Sequence, residues 1–323
     1  MRQRLVIVSI VVLACPALFG CHVYRGSGAE DAQAIQKQLS LQVYTPDPPP
    51  ESIDSTGSPT HLPDLTPTRS PSATPFPSST PLPPLIVVDP GHGGRDLGAV
   101  HLDAEGRLDF CESEVNLALA LRIRDDLLTR GFRVLLTRDG DYLLNEDRVD
   151  VNGNGWVDYV DEAQARVDLI NASGAELLLS IHQNAFYWED GESAPDVGGV
   201  VTLYNDERPF SGDSLRFARL VQESLVAAFR SLGHDVHDRE IELDSELETP
   251  DLPGSRIILL GPKSERIVRP CQVPGVLSET LFLTHSREAE LARDPQALDR
   301  LAVAYADAVE TYFTGGRSDS EMD

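Results

Sequence analysis

The sequence predicts an α/β fold, a three-layer sandwich in which a mostly parallel central sheet carries helices on both faces. Short apolar runs such as Leu85-Ile86-Val87-Val88 are typical of strands buried on both faces. They alternate with longer stretches whose apolar residues fall on one helical stripe, such as 113–130 and 295–313. Alternating strands and helices favour a parallel sheet with helical crossovers.

Each element has its own local signal. In the first long helix Leu117, Leu121 and Leu128 share a stripe, and Gly131 marks its end. In the last helix Asp294 is the expected N-cap and Pro295 the first helical residue. The predicted strands are 85–88, 132–137, 177–181, 199–204 and a strand that begins near 276, and the predicted helices are 29–43, 113–130, 161–172, 213–231 and 295–313.

Charge and composition exclude several classes of function. The 323 residues contain 27 Lys and Arg against 52 Asp and Glu, a formal net charge of −25. An apolar content of 41% is enough to fill a core. So strong an acidity argues against a nucleic-acid partner and against electrostatic adhesion to anionic lipid, because both require clustered Lys and Arg.

The N-terminal residues predict export. Residues 1–20 have a basic start at Arg2 and Arg4 and a short apolar run, the layout of a signal peptide. The run ends at Leu18-Phe19-Gly20-Cys21, which is similar to a bacterial lipoprotein cleavage box and predicts a lipid anchor on Cys21. Plain secretion and an uncleaved anchor are the alternatives. We expect the chain to lie in the cell envelope, on the membrane and facing the wall or periplasm.

The next segment predicts a tether. Residues 45–84 hold 13 of the 23 prolines together with many Ser and Thr, a composition that cannot bury a core. The predicted organisation is a tether over 21–84, one domain over 85–315 and a disordered tail over 316–323, in a monomer. Within the domain, Cys111 and Cys271 form either a disulfide or two unpaired buried thiols.

Four polar groups fall at one end of the predicted sheet. His92, His182 and Glu279 each follow or end a predicted strand, and Glu112 directly precedes a helix. Two His and one carboxylate with an open fourth position form a common catalytic zinc set. A second carboxylate is what such a site needs to take a proton from bound water. Asp89 could orient His92 or cap a turn.

Five segments carry a family resemblance. IVVDPGHGGRDLGAV, ESEVNLALAL, VLLTRD, RVDLINASGAELLLSIHQNA and PGVLSETLFLT resemble, in that order, the zinc-dependent N-acetylmuramoyl-L-alanine amidases with an amidase-3 type domain. The resemblance implies zinc ligands at His92, Glu112 and His182 and a catalytic glutamate at Glu279. It implies that zinc-activated water cleaves the amide between N-acetylmuramic acid and L-alanine in peptidoglycan. Arg138 and Arg166 match family positions and are expected to be structural ion-pair partners.

Other activities stay open from sequence alone. A zinc peptidase acting on peptidoglycan stem peptides would use the same open-site chemistry. An inactive amidase fold could bind wall glycan or regulate a partner. A longer loop at 185–198 and an acidic insertion at 234–272 could shape or cover the cleft. His234 and His237 in this insertion are expected at the surface, and His285 stands where the family usually has Asn.

A further insertion, 139–162, contains a pattern typical of calcium loops of the EF-hand or dockerin type. Ligand positions fall at 1, 3, 5, 7, 9 and 12 and the turn glycine, Gly155, at 6. The alternative is an acidic Asn/Gly turn without a metal. The predicted calcium ligands are Asp150, Asn152, Asn154, the carbonyl of Trp156, Asp158 and Asp161.

Overall fold

A computed structural model describes residues 43–44, 82–188, 193–246 and 256–315. The signal peptide, Cys21, residues 29–42 of the predicted 29–43 helix, most of the tether and the tail lie outside these residues. Val43, the last residue of that predicted helix, is in a strand instead. The strands are β1 (Val43–Tyr44), β2 (Leu85–Pro90), β3 (Val100–Leu102), β4 (Leu108–Cys111), β5 (Arg133–Leu136), β6 (Leu177–Asn184), β7 (Val200–Tyr204), β8 (Asp238–Leu243) and β9 (Gly275–Phe282). The helices are α1 (Glu112–Thr129), α2 (Tyr159–Ser173), α3 (Ser211–Ser231), α4 (Ser286–Arg293) and α5 (Pro295–Thr314), with one 3₁₀ turn at Asp244–Glu246.

The central sheet has the order β1-β5-β2-β6-β9-β7-β8. Strands β5, β2, β6 and β9 are parallel, β7 pairs with β9 in the antiparallel sense, and β8 is parallel to β7. The predicted α/β class with a mostly parallel sheet is therefore confirmed. The two-residue β1, within the segment expected as a tether, pairs antiparallel with the edge strand β5.

Alternate residues of the buried strands point to two different cores. Ile86 and Val88 of β2 join one cluster with α1, α3 and α5, whereas Leu85 and Val87 join a second cluster with α2. Because the pleat sends successive side chains to opposite faces, an unbroken apolar run requires cover on both. This arrangement is the predicted three-layer sandwich.

Capping residues set the helix ends where the sequence indicated. The Asp294 side chain accepts from the N–H of Gln296 and Pro295 opens α5, as predicted. Asp158 caps α2, and Gly174 ends it with a left-handed backbone at φ 70°. Within the described residues, no helix combines the length and apolar content that a bilayer crossing requires.

Besides β1 and the 3₁₀ turn, the β3–β4 hairpin, β8 and α4 were not predicted from the sequence. The hairpin is short and largely exposed, none of the six residues of β8 is buried, and α4 has only eight residues. The described parts of the 234–272 insertion are built into the fold. Strand β8 extends the sheet, and Ile258, Leu260 and Ile267 are buried in the α2-side core.

Candidate active site

The sheet order brings the predicted site residues together. Strands β2, β6 and β9 are neighbours, so their carboxyl ends lie at one edge. His92 follows β2 by two residues, and His182 on β6 is in register with Glu279 on β9. Glu112 is the first residue of α1, which packs on the same strands.

Glu112 lies between the two histidines. Its Oε1 is 3.2 Å from His92 Nε2 and 3.0 Å from His182 Nδ1. The three potential ligand atoms all lie within 4.8 Å of one another. Ligands about 2.0–2.1 Å from a tetrahedral zinc are about 3.3 Å apart, so this donor set fits that ion.

Backbone and amide donors hold the Glu112 carboxylate in place. Its Oε2 accepts from the N–H of Ala99 at 2.8 Å, and its Oε1 from the N–H of Gln183 at 2.9 Å. Asn116, one turn along α1, donates to Gly91 O at 3.2 Å and to Glu112 Oε1 at 3.4 Å. The carboxylate therefore has one orientation before any metal binds.

Small residues leave room for the imidazoles. A Cβ on Gly91 would lie 2.2 Å from His182 Nε2. A Cβ on Gly98, where φ is +65°, would lie 2.4 Å from Glu112 Oε2. His92 itself has φ 60°, a left-handed backbone that few residues other than glycine adopt. Arg166 Nη2 stabilises this turn by donating to His92 O at 2.7 Å.

Asp96, and not Asp89, contacts the outer nitrogen of His92. The distance from His92 Nδ1 to Asp96 Oδ2 is 2.9 Å. Asp89 instead accepts hydrogen bonds from Thr137, Ser180 and Arg166 within the core, so neither expected role of Asp89 is correct. Asp96 was missed because a charged residue in a glycine-rich turn reads as solvated surface. Its spacing of four residues from His92 was the only signal.

Arg166 and Arg138, both expected to be ion-pair partners, differ in the groups they contact. Arg166 pairs with Asp89 and Glu162, both at 2.8 Å, as expected of an ion-pair partner. Arg138 was expected to form an ion pair, but its hydrogen bonds go to the backbone carbonyls of Pro90, Gly91, Ser113 and Gly140. Burial and the nearby Arg166 charge lower the pKa of Arg138 to about 10.

The charged groups of the site lie so close together that each shifts the pKa of its neighbours. Burial acts to lower the pKa of His92, but the Glu112 charge and the hydrogen bonds that the ring donates to Asp96 and Glu112 raise it to about 10. Burial acts to raise the pKa of Glu112, but the two histidines hold it well below its usual range. A proton and a metal ion compete for the same imidazole lone pair, so a cation that binds here displaces protons.

Glu279 is buried, and its Oε2 has no hydrogen-bond partner among the described residues. Burial and the Glu112 charge hold the pKa of Glu279 well above its usual range, against the opposing effect of His92. Its neighbours on β9, Ser278 and Thr280, face the other way and bond to Tyr305 OH at 2.7 and 2.6 Å. A buried carboxyl with a free oxygen is suited to accept a proton and then release it.

The predicted calcium loop forms a hydrogen-bonded turn. Asp150 accepts from the N–H groups of Gly153, Asn154 and Gly155, at 2.7 to 3.1 Å. Asp158 and Asp161 form the capping box of α2. The described residues contain two groups of three possible metal ligands within 4.8 Å, and the loop's carboxylates are in neither.

The structure also tests the predictions for the two cysteines of the domain. Cys111 and Cys271 are both buried free thiols, so the disulfide alternative is wrong and the unpaired alternative is confirmed.

Of the two histidines expected at the surface, His237 is exposed as expected. His234 is not a surface residue, because its side chain is only 12% exposed and lies 3.3 Å from Glu288. No local sequence pattern could predict this contact, because Glu288 is 54 residues from His234 along the chain.

The 185–198 loop lies beside the site. Phe186 N–H donates to Thr284 Oγ1 at 2.9 Å, and Tyr187 OH donates to Val100 O at 3.0 Å. These bonds attach the loop to the end of β9 and to the β3–β4 hairpin. Trp188, packed edge-on against Phe186, is half exposed. The described part of the loop is therefore fixed next to the strand end that carries His182.

A parallel sheet that gathers two histidines and two glutamates at its strand ends defines a metal-dependent hydrolase. The chain matches the family model described as N-acetylmuramoyl-L-alanine amidase, of the amidase-3 type, over residues 86–311. The chain belongs to this family. It is an N-acetylmuramoyl-L-alanine amidase that acts on the peptidoglycan of the cell wall, in a family that is zinc-dependent and works outside the cytoplasm.

Individual relatives agree with the family match. The chain is 30% identical to the germination-specific N-acetylmuramoyl-L-alanine amidase of Bacillus subtilis, over 71% of this chain and 80% of that protein. It is 27% identical to the amidase AmiA of Escherichia coli, over 71% of this chain and 76% of that protein. Among solved structures, the CwlD amidase of Clostridioides difficile, in complex with the GerS lipoprotein, is similar with a TM-score of 0.53 and 25% identity, covering 72% of this chain and all of that one.

Gly91→Ala tests whether the space beside His182 is required. The added Cβ would displace the imidazole, so we expect zinc affinity to fall by about 10–100-fold while the fold remains intact. Isothermal titration with zinc measures the affinity. Gly140→Ala, whose Cβ meets only the Tyr142 ring at 3.2 Å, is the matched control and should bind zinc normally. Equal affinities in the two variants would contradict the steric argument.

Proposed function

We propose that His92, Glu112 and His182 bind the zinc ion of this amidase and that Glu279 is its catalytic acid-base group. One observation carries this assignment. A carboxylate oxygen at 3.2 and 3.0 Å from two imidazole nitrogens lies beside a buried glutamate with an unpartnered oxygen. These are the donor set and the proton acceptor that hydrolysis of an amide requires.

Each residue has a defined part in the reaction. Zinc, when bound, lowers the pKa of water and polarises a carbonyl. Glu279 accepts the proton of the attacking water and returns it to the departing amine of L-alanine. Asp96 holds the His92 ring through Nδ1, which leaves Nε2 directed at the site. The backbone donors at Ala99 and Gln183 keep the Glu112 carboxylate oriented.

Glu279→Gln separates catalysis from metal binding. The amide matches the shape of the carboxyl but cannot accept the water proton, so turnover should fall by at least about 10²–10⁴-fold with zinc content unchanged. Release of soluble muropeptides and metal analysis measure the two properties. Glu290→Gln, at an exposed position on α4, is the control and should stay active. A zinc-loaded Glu279→Gln enzyme with normal turnover would refute the assignment.

The products identify the bond that is cut. Digestion of purified peptidoglycan with the zinc-loaded enzyme should expose new L-alanine amino termini and leave the glycan strands intact. New D-amino-acid termini would instead support a stem-peptide peptidase. Binding to the wall without any product would support the inactive alternative.

We also propose that residues 150–161 bind calcium and stiffen the 139–162 insertion. Ligand types at six of the required positions support this, with Gly155 in a left-handed turn at φ 89°. Asp150 Oδ2 and Asp161 Oδ2 each accept one backbone N–H, from Gly155 and Asp158, and so each keeps a further lone pair. The end of the loop runs directly into Glu162, which binds Arg166 and the N–H groups of Leu144 and Asn145.

Calcium should raise the melting temperature of the zinc-saturated protein by a few degrees. Calcium at ten times its Kd adds about 1.4 kcal/mol to the free energy of unfolding. A change of 1 kcal/mol in that free energy shifts the Tm of a domain this size by about 2–4 °C. Asp150→Asn should lose the gain, whereas Asp147→Asn, exposed and outside the twelve-residue loop, should keep it. No gain, or an equal gain in Asp150→Asn, would exclude the site.

Finally, we propose that the enzyme is exported as a monomeric lipoprotein, with residues 21–84 as a tether from the membrane to the 85–315 domain. The basic start, the apolar run and Gly20-Cys21 support this proposal.

Cys21→Ala should abolish lipid attachment, because the thiol is the predicted acceptor of the lipid. A clickable fatty acid fed to bacterial cells that express the chain measures the attachment. Cys15→Ala, within the predicted signal peptide, is the control and should leave labelling intact. Labelling of the Cys21→Ala protein at the wild-type level would contradict a lipid anchor at this residue.

A further inference from the structure

A second group of metal-ligand side chains lies apart from the catalytic residues. His234 follows α3, His285 follows β9, and Glu288 is in the first turn of α4. Their potential ligand atoms all lie within 4.8 Å of one another, as do those of His92, Glu112 and His182. None of these three residues belongs to the proposed catalytic machinery.

The geometry of this group repeats that of the first. Glu288 Oε1 is 3.3 Å from His234 Nε2 and 3.9 Å from His285 Nδ1. In both groups one oxygen of a buried glutamate faces two imidazole nitrogens that come from different segments. The His234 distance matches the roughly 3.3 Å expected between neighbouring ligands of a tetrahedral zinc, and the His285 distance is longer, at 3.9 Å.

Glu288 is fixed in the same way as Glu112. It is 1% exposed, and its oxygens accept from the N–H of Gly199 at 2.8 Å and of Phe282 at 2.7 Å. A carboxylate offers about four lone-pair sites, so two backbone bonds leave room for a cation. A Cβ on Gly198 would lie 2.4 Å from Glu288 Oε1, and so this corner also depends on a glycine.

The two histidines direct ring nitrogens at the Glu288 carboxylate. The Nδ1 lone pair of His285 accepts from the N–H of Glu288 at 3.2 Å, so a cation bound at this nitrogen would replace that cap hydrogen bond. His234 Nε2 faces Glu288 Oε1, and a bound cation would replace the proton shared between them. Side-chain exposures of 12% for His234 and 19% for His285 give an ion a path from solvent.

We propose that His234, His285 and Glu288 form a second zinc-type site, independent of the catalytic one. Two imidazoles and one carboxylate favour a divalent ion of the zinc class over calcium or magnesium, which prefer oxygen ligands. The ion would join the α3–β8 connection to the end of β9, the strand that carries Glu279. Its role is to stabilise this corner of the cleft, where the 234–272 insertion begins.

Zinc stoichiometry tests the proposal. Apoprotein is equilibrated with buffered Zn²⁺, and the bound zinc per chain is measured by inductively coupled plasma mass spectrometry. We expect two zinc ions per wild-type chain and one in His234→Gln/His285→Asn. Asn is a good N-cap, so His285→Asn removes the imidazole while keeping the start of α4. Circular dichroism and amidase activity show that the variant is folded.

Three further variants make the count decisive. His237→Gln, an exposed histidine three residues from His234, should keep both ions. His234→Gln alone, which leaves the α4 cap untouched, should also lose one ion and repeats the test if the double variant does not fold. His92→Gln/His182→Gln should lose the other ion and keep the second site. One ion in the wild type, two in the double variant, or a loss in His237→Gln would overturn the proposal.

Discussion

The framework of the candidate metal centre depends on the hydrogen bonds and ion pairs of the buried Arg166 guanidinium. From α2, on one face of the sheet, it pairs with Asp89 and Glu162 and donates to the carbonyls of Pro90 and His92. It therefore holds the end of β2 in the unusual backbone that presents the His92 ring. Removal of one partner from a buried pair costs about 3–5 kcal/mol, because the other charge remains buried.

The two glutamates of the candidate site illustrate how environment separates the properties of two like groups. Glu112 lies among imidazoles and N–H donors, which favour its ionised form. Glu279, one strand away from His182, has a free oxygen and little polar company, and burial beside Glu112 favours its protonated form. One carboxylate is thereby suited to hold a cation and the other to exchange a proton. The topology of three adjacent strand ends creates both environments.

Much of the fold and of the central site followed from local sequence patterns. Apolar runs such as 85–88 and capped amphipathic helices such as 295–313 are short-range signals, and burial only reinforced them. The strand-end positions of His92 and His182 were also readable, because in a parallel sheet all such ends meet at one edge. The β3–β4 hairpin and β8 lacked this pattern, since most of their residues are exposed or only partly buried.

The sequence by itself determined which chemical groups the protein has and at which end of the sheet most of them lie, because strand direction and period are local properties. Only the tertiary structure decided how those groups pair. It gave Asp96 rather than Asp89 to His92, left Cys111 and Cys271 as separate thiols, and placed His234 against Glu288. Such contacts depend on how loops from distant parts of the chain pack, and no short-range pattern encodes them.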